Sequence, residues 1–397
     1  MKSIEQKNFK NKKVIVRVDF NVPLDDNNNV TDNSRIIASF PTVNKLVSDG
    51  ASIILMSHLG RPKGVIGKLS LKNILGDVEK VFKQKIQFAE DILDSTTELK
   101  IKNLKPKEIL LLENLRFYKG EEKGDHDFSK KLASFAEFYI NDAFGTSHRA
   151  HASTTIIAQF FNNKKFSGLL LDKEVTSIKR ILKNGKKPVL AILGGAKVSS
   201  KIPIIKSLLQ VTDDIIIGGG MAFTFVKSMG GLIGKSIFEE DKIPEATKIL
   251  ELAKQKNAKL HFPTDVICSK SLTDHKLRTC SIEKIPNNLE GFDAGPESLK
   301  QFHNIIMNAK TILWNGPVGV FEEDKFSKGT IKVGNSVSQS TKKGAYSLVG
   351  GGDSVAAAKK FNFQNKVSYI STGGGAMLES IEGKVLPGIK ALSEQMD

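Results

Sequence analysis

Short apolar runs alternate with helical patterns along almost the whole chain. In the first half, strand-like runs cover residues 14–19, 52–57, 109–112 and 138–141, and helical patterns follow at 36–46, 71–82 and 128–135. Runs this short, bounded by polar loops, fit strands buried on both faces. Strands separated by helices pair in parallel and are covered on both faces by those helices. The alternation resumes at 189–193, 215–217, 259–262, 311–314, 346–349 and 367–370. Between the two series Leu171, Val175, Ile178 and Leu182 recur at helical spacing, with Asn184-Gly185 as a stop signal and Pro188 beyond. At 397 residues the chain exceeds the size at which one core stops growing. The division expected is therefore a first domain at 1–170, a connector helix at 171–184, a second domain at 185–380 and a tail at 381–397.

Composition narrows the function classes. Hydrophobic residues make up 40% and charged residues 26%, which suits a globular chain with ample core. No apolar run approaches the roughly 18 residues that span a bilayer, and residues 1–13 lack the apolar stretch of a secretory leader. No membrane partner and a cytoplasmic location are expected. Cys268 and Cys280 lack the paired spacing of a zinc site and are compatible with a reducing compartment. The net charge of +16 raises a nucleic-acid partner, but the lysines are spread through every segment and aromatics do not interleave with a basic cluster. No nucleic acid is required. Such a field also steers small anions, and no interface pattern asks for more than a monomer.

In parallel sheets, ligands bind beyond the carboxyl ends of the strands. The chemistry-bearing residues of the first half fall there: Asp19-Phe20-Asn21, His58-Leu59-Gly60-Arg61, Glu113-Asn114-Leu115-Arg116, and Asn141-Asp142 leading to His148-Arg149-Ala150-His151. Arg35 opens the first helix. Arg35, Arg61, Arg116 and Arg149, with His58, His148 and His151, are expected to form one basic rim. Guanidinium forks match carboxylate and phosphate oxygens two at a time, so the rim suits a small, highly charged anion. Residues 25–32 are acidic but lack the glycine and terminal glutamate of a calcium loop, and read as a turn.

The second-half loops carry glycine instead: Gly194-Gly195-Ala196-Lys197, Gly218-Gly219-Gly220, Gly316-Pro317-Val318-Gly319, Gly350-Gly351-Gly352-Asp353-Ser354 and Thr372-Gly373-Gly374-Gly375. Bare backbone at several strand ends admits phosphates and a flat base. Asp353-Ser354 stands where a helix N-cap belongs. Asp353 either caps that helix or holds Mg²⁺ against bound phosphates. Lys197 and Lys201 share a face if Val198 opens a helix, as solvent lysines or as two ammonium groups reaching one phosphate chain. Gly218, Gly220 and Phe223 fail the dinucleotide fingerprint, so a nicotinamide dehydrogenase loses its main support. Gly234-Lys235-Ser236 is no P-loop, because its first glycine position is Met229.

A series of motifs in order resembles the phosphoglycerate kinase family over essentially the whole chain. They are Arg17-Val18-Asp19-Phe20-Asn21-Val22-Pro23, His58-Leu59-Gly60-Arg61-Pro62, Glu113-Asn114-Leu115-Arg116-Phe117, Leu193-Gly194-Gly195-Ala196-Lys197-Val198, Trp314-Asn315-Gly316-Pro317-Val318-Gly319-Val320-Phe321-Glu322, Gly350-Gly351-Gly352-Asp353-Ser354 and Ser371-Thr372-Gly373-Gly374-Gly375-Ala376. The resemblance implies two doubly wound parallel-sheet (Rossmann-like) α/β domains joined by a connector helix, with a cleft between them. It implies reversible phosphoryl transfer between 1,3-bisphosphoglycerate and ADP, giving 3-phosphoglycerate and ATP, with Mg²⁺. It places Asp19, Phe20, Asn21, Arg35, His58, Leu59, Gly60, Arg61, Arg116 and Arg149 on the glycerate substrate in the first domain. It places Lys197, Lys201, Gly291, Asn315, Glu322, Gly351, Gly352, Asp353 and Ser354 on the nucleotide in the second, with Asp353 on the metal. The segment from Leu386-Pro387-Gly388-Ile389 resembles the family's tail that packs back on the first domain. Ser200 stands where an aspartate is common, and Ser354 where a threonine is.

The chemistry of such a transfer agrees with these residue types. A carboxylate acceptor, with a pKa of about 3.5, is already ionised at neutral pH and needs no general base. What the reaction needs is neutralisation of charge on the transferring group. Arg35, Lys197 and the backbone at Gly374 are expected to supply it, with domain closure at a hinge excluding water.

Overall fold

The computed structural model describes residues 1–393, which divide into two compact units: residues 1–175 with the segment from Val385, and Thr176–Lys384. The division falls inside the helix Leu169–Leu182, the one expected at 171–184.

In the first unit, β1 (Lys13–Arg17), β2 (Ser52–Met56), β3 (Gln87–Ala89), β4 (Ile109–Leu112), β5 (Phe138–Asn141) and β6 (Lys165–Ser167) form one sheet in the order β3-β4-β2-β1-β5-β6. Every pairing is parallel. The central strands are buried on both faces because helices cover both. Helix α1 (Ser34–Asp49) shows the device: Ile36, Val43 and Leu46 are turned inward and packed with Val14, Val16 and Ile53. Burying each such side chain contributes about 1.5–3 kcal/mol. Gly50, at φ 85, ends α1 in the left-handed conformation that glycine adopts without cost. The closing helix Pro387–Ser393 belongs to this unit, and the Gly388 N–H donates to Ser147 O at 2.9 Å.

The second unit repeats the plan. Strands β7 (Val189–Leu193), β8 (Asp214–Ile217), β10 (Lys259–His261), β15 (Thr311–Asn315), β16 (Tyr346–Val349) and β17 (Tyr369–Ile370) pair in parallel as β10-β8-β7-β15-β16-β17. The expected α/β class, with two doubly wound parallel sheets, is what the chain adopts. Additional strands had no counterpart in the sequence reading. β11 (Asp265–Ser269), β12 (Arg278–Ser281) and β14 (Glu290–Ala294) make an antiparallel sheet, and β9 (Leu232–Ile233) pairs with β13 (Lys284–Ile285). Two local expectations are corrected. Val198 opens no helix: 198–201 is a turn, with the Lys201 N–H on Val198 O at 2.8 Å, and the helix begins at Ile202. Asp353-Ser354 is not the cap either, because the helix Gly352–Lys360 is capped by Gly351 at φ 94 and takes both residues into its first turn.

Candidate functional site

Both sheets reverse their strand order at a central pair, β1/β5 and β7/β15; Asp19, Phe20, Asn21, Arg149, Lys197, Lys201 and Glu322 lie beyond those carboxyl ends, the other expected residues follow β2, β4, β16 and β17, and Arg35, Gly291 and Asn315 lie within α1, β14 and β15. In the first unit, Asp19 leaves β1 almost fully buried and accepts from Arg35 Nη1 at 3.1 and 3.2 Å; the same nitrogen donates to Asn21 O at 3.1 Å. Arg35 is thereby oriented while its side chain stays 34% exposed. Asn21 Oδ1 receives the Gly60 N–H at 2.8 Å, and Gly60 O receives Arg116 Nη1. Gly60 sits at φ 65, where a Cβ would also press within 2.8 Å of Leu69. Arg116 Nε lies 3.3 Å from Glu122 Oε1. Arg61 and Arg149 are exposed, and Arg149 Nε reaches His148 Nε2 at 3.1 Å. Phe20 and Leu59 are buried, with their N–H groups on Ser57 Oγ (2.8 Å) and Asn114 Oδ1 (3.2 Å). They hold the loops rather than present side chains.

His58 and His151 do not add charge to this rim. Burial first, then Arg17, Arg116 and Arg35, hold His58 well below the ordinary imidazole range. His151 is pushed down to about 4 by burial and by Arg116, Arg17 and Arg149. Both are neutral at physiological pH, so the cationic character is that of the arginines. Sequence reasoning did not single out Arg17, which is 1% exposed and contacts both His58 and Ser153. The available signal was a cation interrupting the apolar run from Val14 to Val18.

In the second unit the glycines separate into two kinds. A Cβ on Gly194 would sit 1.9 Å from Pro317 O, and one on Gly316 2.2 Å from Gly194 O, so these two are bare because loop presses on loop. Gly291 is bare against the Phe223 ring, 2.5 Å away. Gly352 has nothing within 4 Å, and a Cβ on Gly374 would approach only Gly352 N, at 3.7 Å, and Gly351 Cα. Gly352 and Gly374 open the helices Gly352–Lys360 and Gly374–Ile381, so two helix N-termini converge on accessible backbone. First-turn N–H groups lack intrahelical partners and point at whatever anion lies there.

Beside them lies a cavity of about 500 Å³ lined by Gly195, Phe223, Gly291, Val318, Glu322 and Asp353 among others. It brings Gly291, Glu322 and Asp353 to one wall system. Lys201 Nζ donates to Asn315 Oδ1, and Asn315 Nδ2 to Gly350 O at 2.6 Å. Burial lowers the Lys201 pKa, and Asp353 opposes that shift. Ser354 is buried and its Oγ accepts the Gly316 N–H at 2.6 Å, tying the two loops together. Lys197 and Asp353 are exposed. Among the described residues no group of three or more His, Cys, Asp or Glu side chains could hold a metal by itself. Asp293, also absent from the sequence reading, is buried in the wall of the cavity and accepts the Ala294 and Gly329 N–H groups at 2.9 and 2.7 Å.

The family model described as phosphoglycerate kinase matches residues 4–384. The chain belongs to the phosphoglycerate kinase family. It is 47% identical to phosphoglycerate kinase of Porphyromonas gingivalis, covering 98% of this chain and 99% of that one. It is 48% identical to the cytosolic phosphoglycerate kinase of Triticum aestivum, over 99% and 98%. Among solved structures, phosphoglycerate kinase from Coxiella burnetii superposes with a TM-score of 0.90 at 39% identity, covering 98% of each chain. The enzyme from Pyrococcus horikoshii gives 0.83 at 28%, covering 99% of this chain and 98% of that one. The chain is thus a kinase of this family, a nucleotide-dependent phosphotransferase with a carboxyl group as acceptor, as the motifs implied. No helix among the described residues is long and apolar enough to cross a membrane.

Proposed function

We propose that the chain transfers a phosphoryl group reversibly between 1,3-bisphosphoglycerate and ADP, giving 3-phosphoglycerate and ATP, as a cytoplasmic monomer. The observation that carries this reading is the pair of helix N-termini at Gly352 and Gly374 beside a base-sized cavity. The nucleotide's phosphates lie across those N–H groups, and its base lies against Gly291 and Phe223. Lys201, held by Asn315, and exposed Lys197 supply cations along the phosphate chain. In the first unit Arg35, aimed by Asp19, joins Arg61, Arg116 and Arg149 on the glycerate, with Asn21 and the Gly60 loop fixing their spacing.

Asp353 fits a divalent cation only in part. One exposed carboxylate at a helix start is a single oxygen donor side chain, so the remaining ligands of Mg²⁺ must come from phosphate oxygens and water, as is usual for that ion. When bound, the ion neutralises charge on the phosphates. The residues themselves do the rest: Lys197, Arg35 and the Gly374 N–H meet the charge that spreads over the transferring group's equatorial oxygens. Because the acceptor carboxylate is already ionised, no side chain has to take a proton.

Reaction requires acceptor and donor in contact, so we propose a hinge motion during turnover that brings the two sets of residues together and excludes water. A coupled assay for ADP formed from ATP and 3-phosphoglycerate tests the activity, and absence of turnover with Mg²⁺ present overturns it. Solution scattering with both substrates should show a smaller radius of gyration than the free enzyme. Superimposable profiles would argue against closure.

A further inference from the structure

Arg17 is a cation inside a strand whose neighbours Ile15, Val16 and Val18 are fully buried. No carboxylate pairs with it directly among the described residues; its hydrogen bonds go elsewhere. Nη1 donates to Val18 O, Nε donates to Ser153 Oγ at 2.9 Å, and Nη2 lies 3.1 Å from His58 Nδ1. Beyond Ser153 stands Glu121, 0% exposed in the helix Lys119–Lys123. It accepts the Ser153 N–H at 3.0 Å and the Ser153 O–H at 2.6 Å.

The donor directions in this chain are fixed by chemistry. A guanidinium has no acceptor, so His58 Nδ1 must be the bare nitrogen and the imidazole proton must sit on Nε2. Ser153 has one hydroxyl hydrogen; since its oxygen accepts from Arg17, that hydrogen is the one given to Glu121. Glu121 is therefore the acceptor at the far end of a relay from Arg17 through a single hydroxyl; burial raises its pKa, and Arg17 and the Ser153 hydrogen bonds oppose that shift. The charged and titratable groups facing it are Arg17 from β1, Arg116 from the turn after β4, Tyr139 from β5, whose O–H donates to Ser153 O at 2.9 Å, and His151, whose Nδ1 is 3.9 Å from Oε1. Those facing His58 are Arg17, Arg35, Arg116 and His151.

We propose that Glu121 is a positioning residue which, through Ser153 and Arg17, holds His58 as the neutral imidazole with its proton on Nε2. His58 then offers an anion a hydrogen-bond donor that carries no charge of its own, and the arginines around it are spared a further cation. The assignment of that anion to the glycerate rests on the function proposed above; the tautomer does not.

Long-range ¹H–¹⁵N correlation of ¹⁵N-histidine-labelled enzyme, with His58 assigned from a His58→Gln variant, reads the tautomer directly. Expected is one neutral Nε2–H form from pH 6 to 8. A wild-type His58 protonated on Nδ1, or titrating to imidazolium in that range, overturns the proposal without any variant having to fold. Glu121→Gln and Ser153→Ala should each mix the tautomers and raise KM for 3-phosphoglycerate about tenfold, the effect of one charge-assisted hydrogen bond, leaving KM for ATP within about twofold. A purely structural role would lower the melting temperature and move both KM values with the wild-type tautomer retained, and that result also overturns it. If the tautomer is as expected but 3-phosphoglycerate does not shift the His58 signal, the proposal stands and the glycerate assignment falls.

Discussion

Lys197 and Lys201 share a loop but not an environment. Lys201 is partly buried, bonded to Asn315 and lowered in pKa by that burial, whereas the Lys197 side chain is exposed. Replacing Lys197 by alanine should therefore cost the fold nothing and the transition state about 3 kcal/mol, the usual worth of one positioned donor. We expect kcat to drop at least a hundredfold, with KM for 3-phosphoglycerate and the melting temperature unchanged; an unaltered kcat removes Lys197 from the mechanism. Lys201→Ala differs in kind, since it leaves Asn315 Oδ1 without its donor, and should raise KM for nucleotide and lower the melting temperature together. Residue types told part of this in advance: Arg61, Arg116 and Arg149 stand in loops that follow strands, and Arg35 at the start of α1, as their positions in the sequence implied. Protonation states were not legible. That His58 and His151 are neutral follows from burial beside Arg17 and Arg116, which lie far from them in sequence. Glu121 was equally hidden, because a glutamate in Gly120-Glu121-Glu122-Lys123 looks solvated until the fold covers it.

At the scale of elements, the glycine loops give a test that separates ligand from fold. Gly351 sits at φ 94, and a Cβ there would come within 2.3 Å of Asn315 Nδ2. Gly351→Ala should thus strain the backbone by about 1–3 kcal/mol and break the Asn315–Gly350 bond. Gly352 has open space and lies inside the first helical turn, where alanine is the better helix former. Gly352→Ala should leave the melting temperature level or slightly raised while KM for nucleotide climbs at least tenfold, because the new methyl occupies the anion's approach. A variant with unchanged KM would mean that the phosphates do not pass over this turn. The long central strands were readable because burial on both faces demands an unbroken apolar run. The edge strands Gln87–Ala89 and Lys165–Ser167, and the polar strand Arg278–Ser281, carry no such run. Their existence is decided by the neighbour they pair with, which a local pattern does not contain.

At the scale of the molecule, each unit buries an aspartate that resists ionisation. Burial raises Asp142 in the first unit and Asp293 in the second to about 7, from 3.8. A raised folded pKa means that the folded chain holds protons which the unfolded chain has released. Each group's stabilising contribution is then full below pH 3.8 and is lost as pH rises through 7. His58 and His151, lowered in the fold, run the other way, so the wild-type curve is a sum of opposed slopes and only differences between variants are diagnostic. Asp142 Oδ1 accepts the Leu170 and Leu171 N–H groups at 2.9 and 3.3 Å, and the Thr42 side chain also favours the ionised carboxyl, but burial outweighs all three. Asparagine there mimics the protonated acid, so the advantage of Asp142→Asn over wild type in urea unfolding should grow by about 2–3 kcal/mol between pH 5 and pH 8. Asp293 uses both oxygens as acceptors, so Asp293→Asn forfeits the bond from Gly329 and should be destabilised by about 1–3 kcal/mol even at pH 5. The sole tryptophan, Trp314, is fully buried in the second unit, so its fluorescence reports the Asp293 variant while ellipticity reports both. Should Asp142→Asn track wild type at pH 8 as closely as at pH 5, the carboxyl is not protonated in the folded chain, and burial at the head of the helix Leu169–Leu182 is outweighed by its hydrogen bonds.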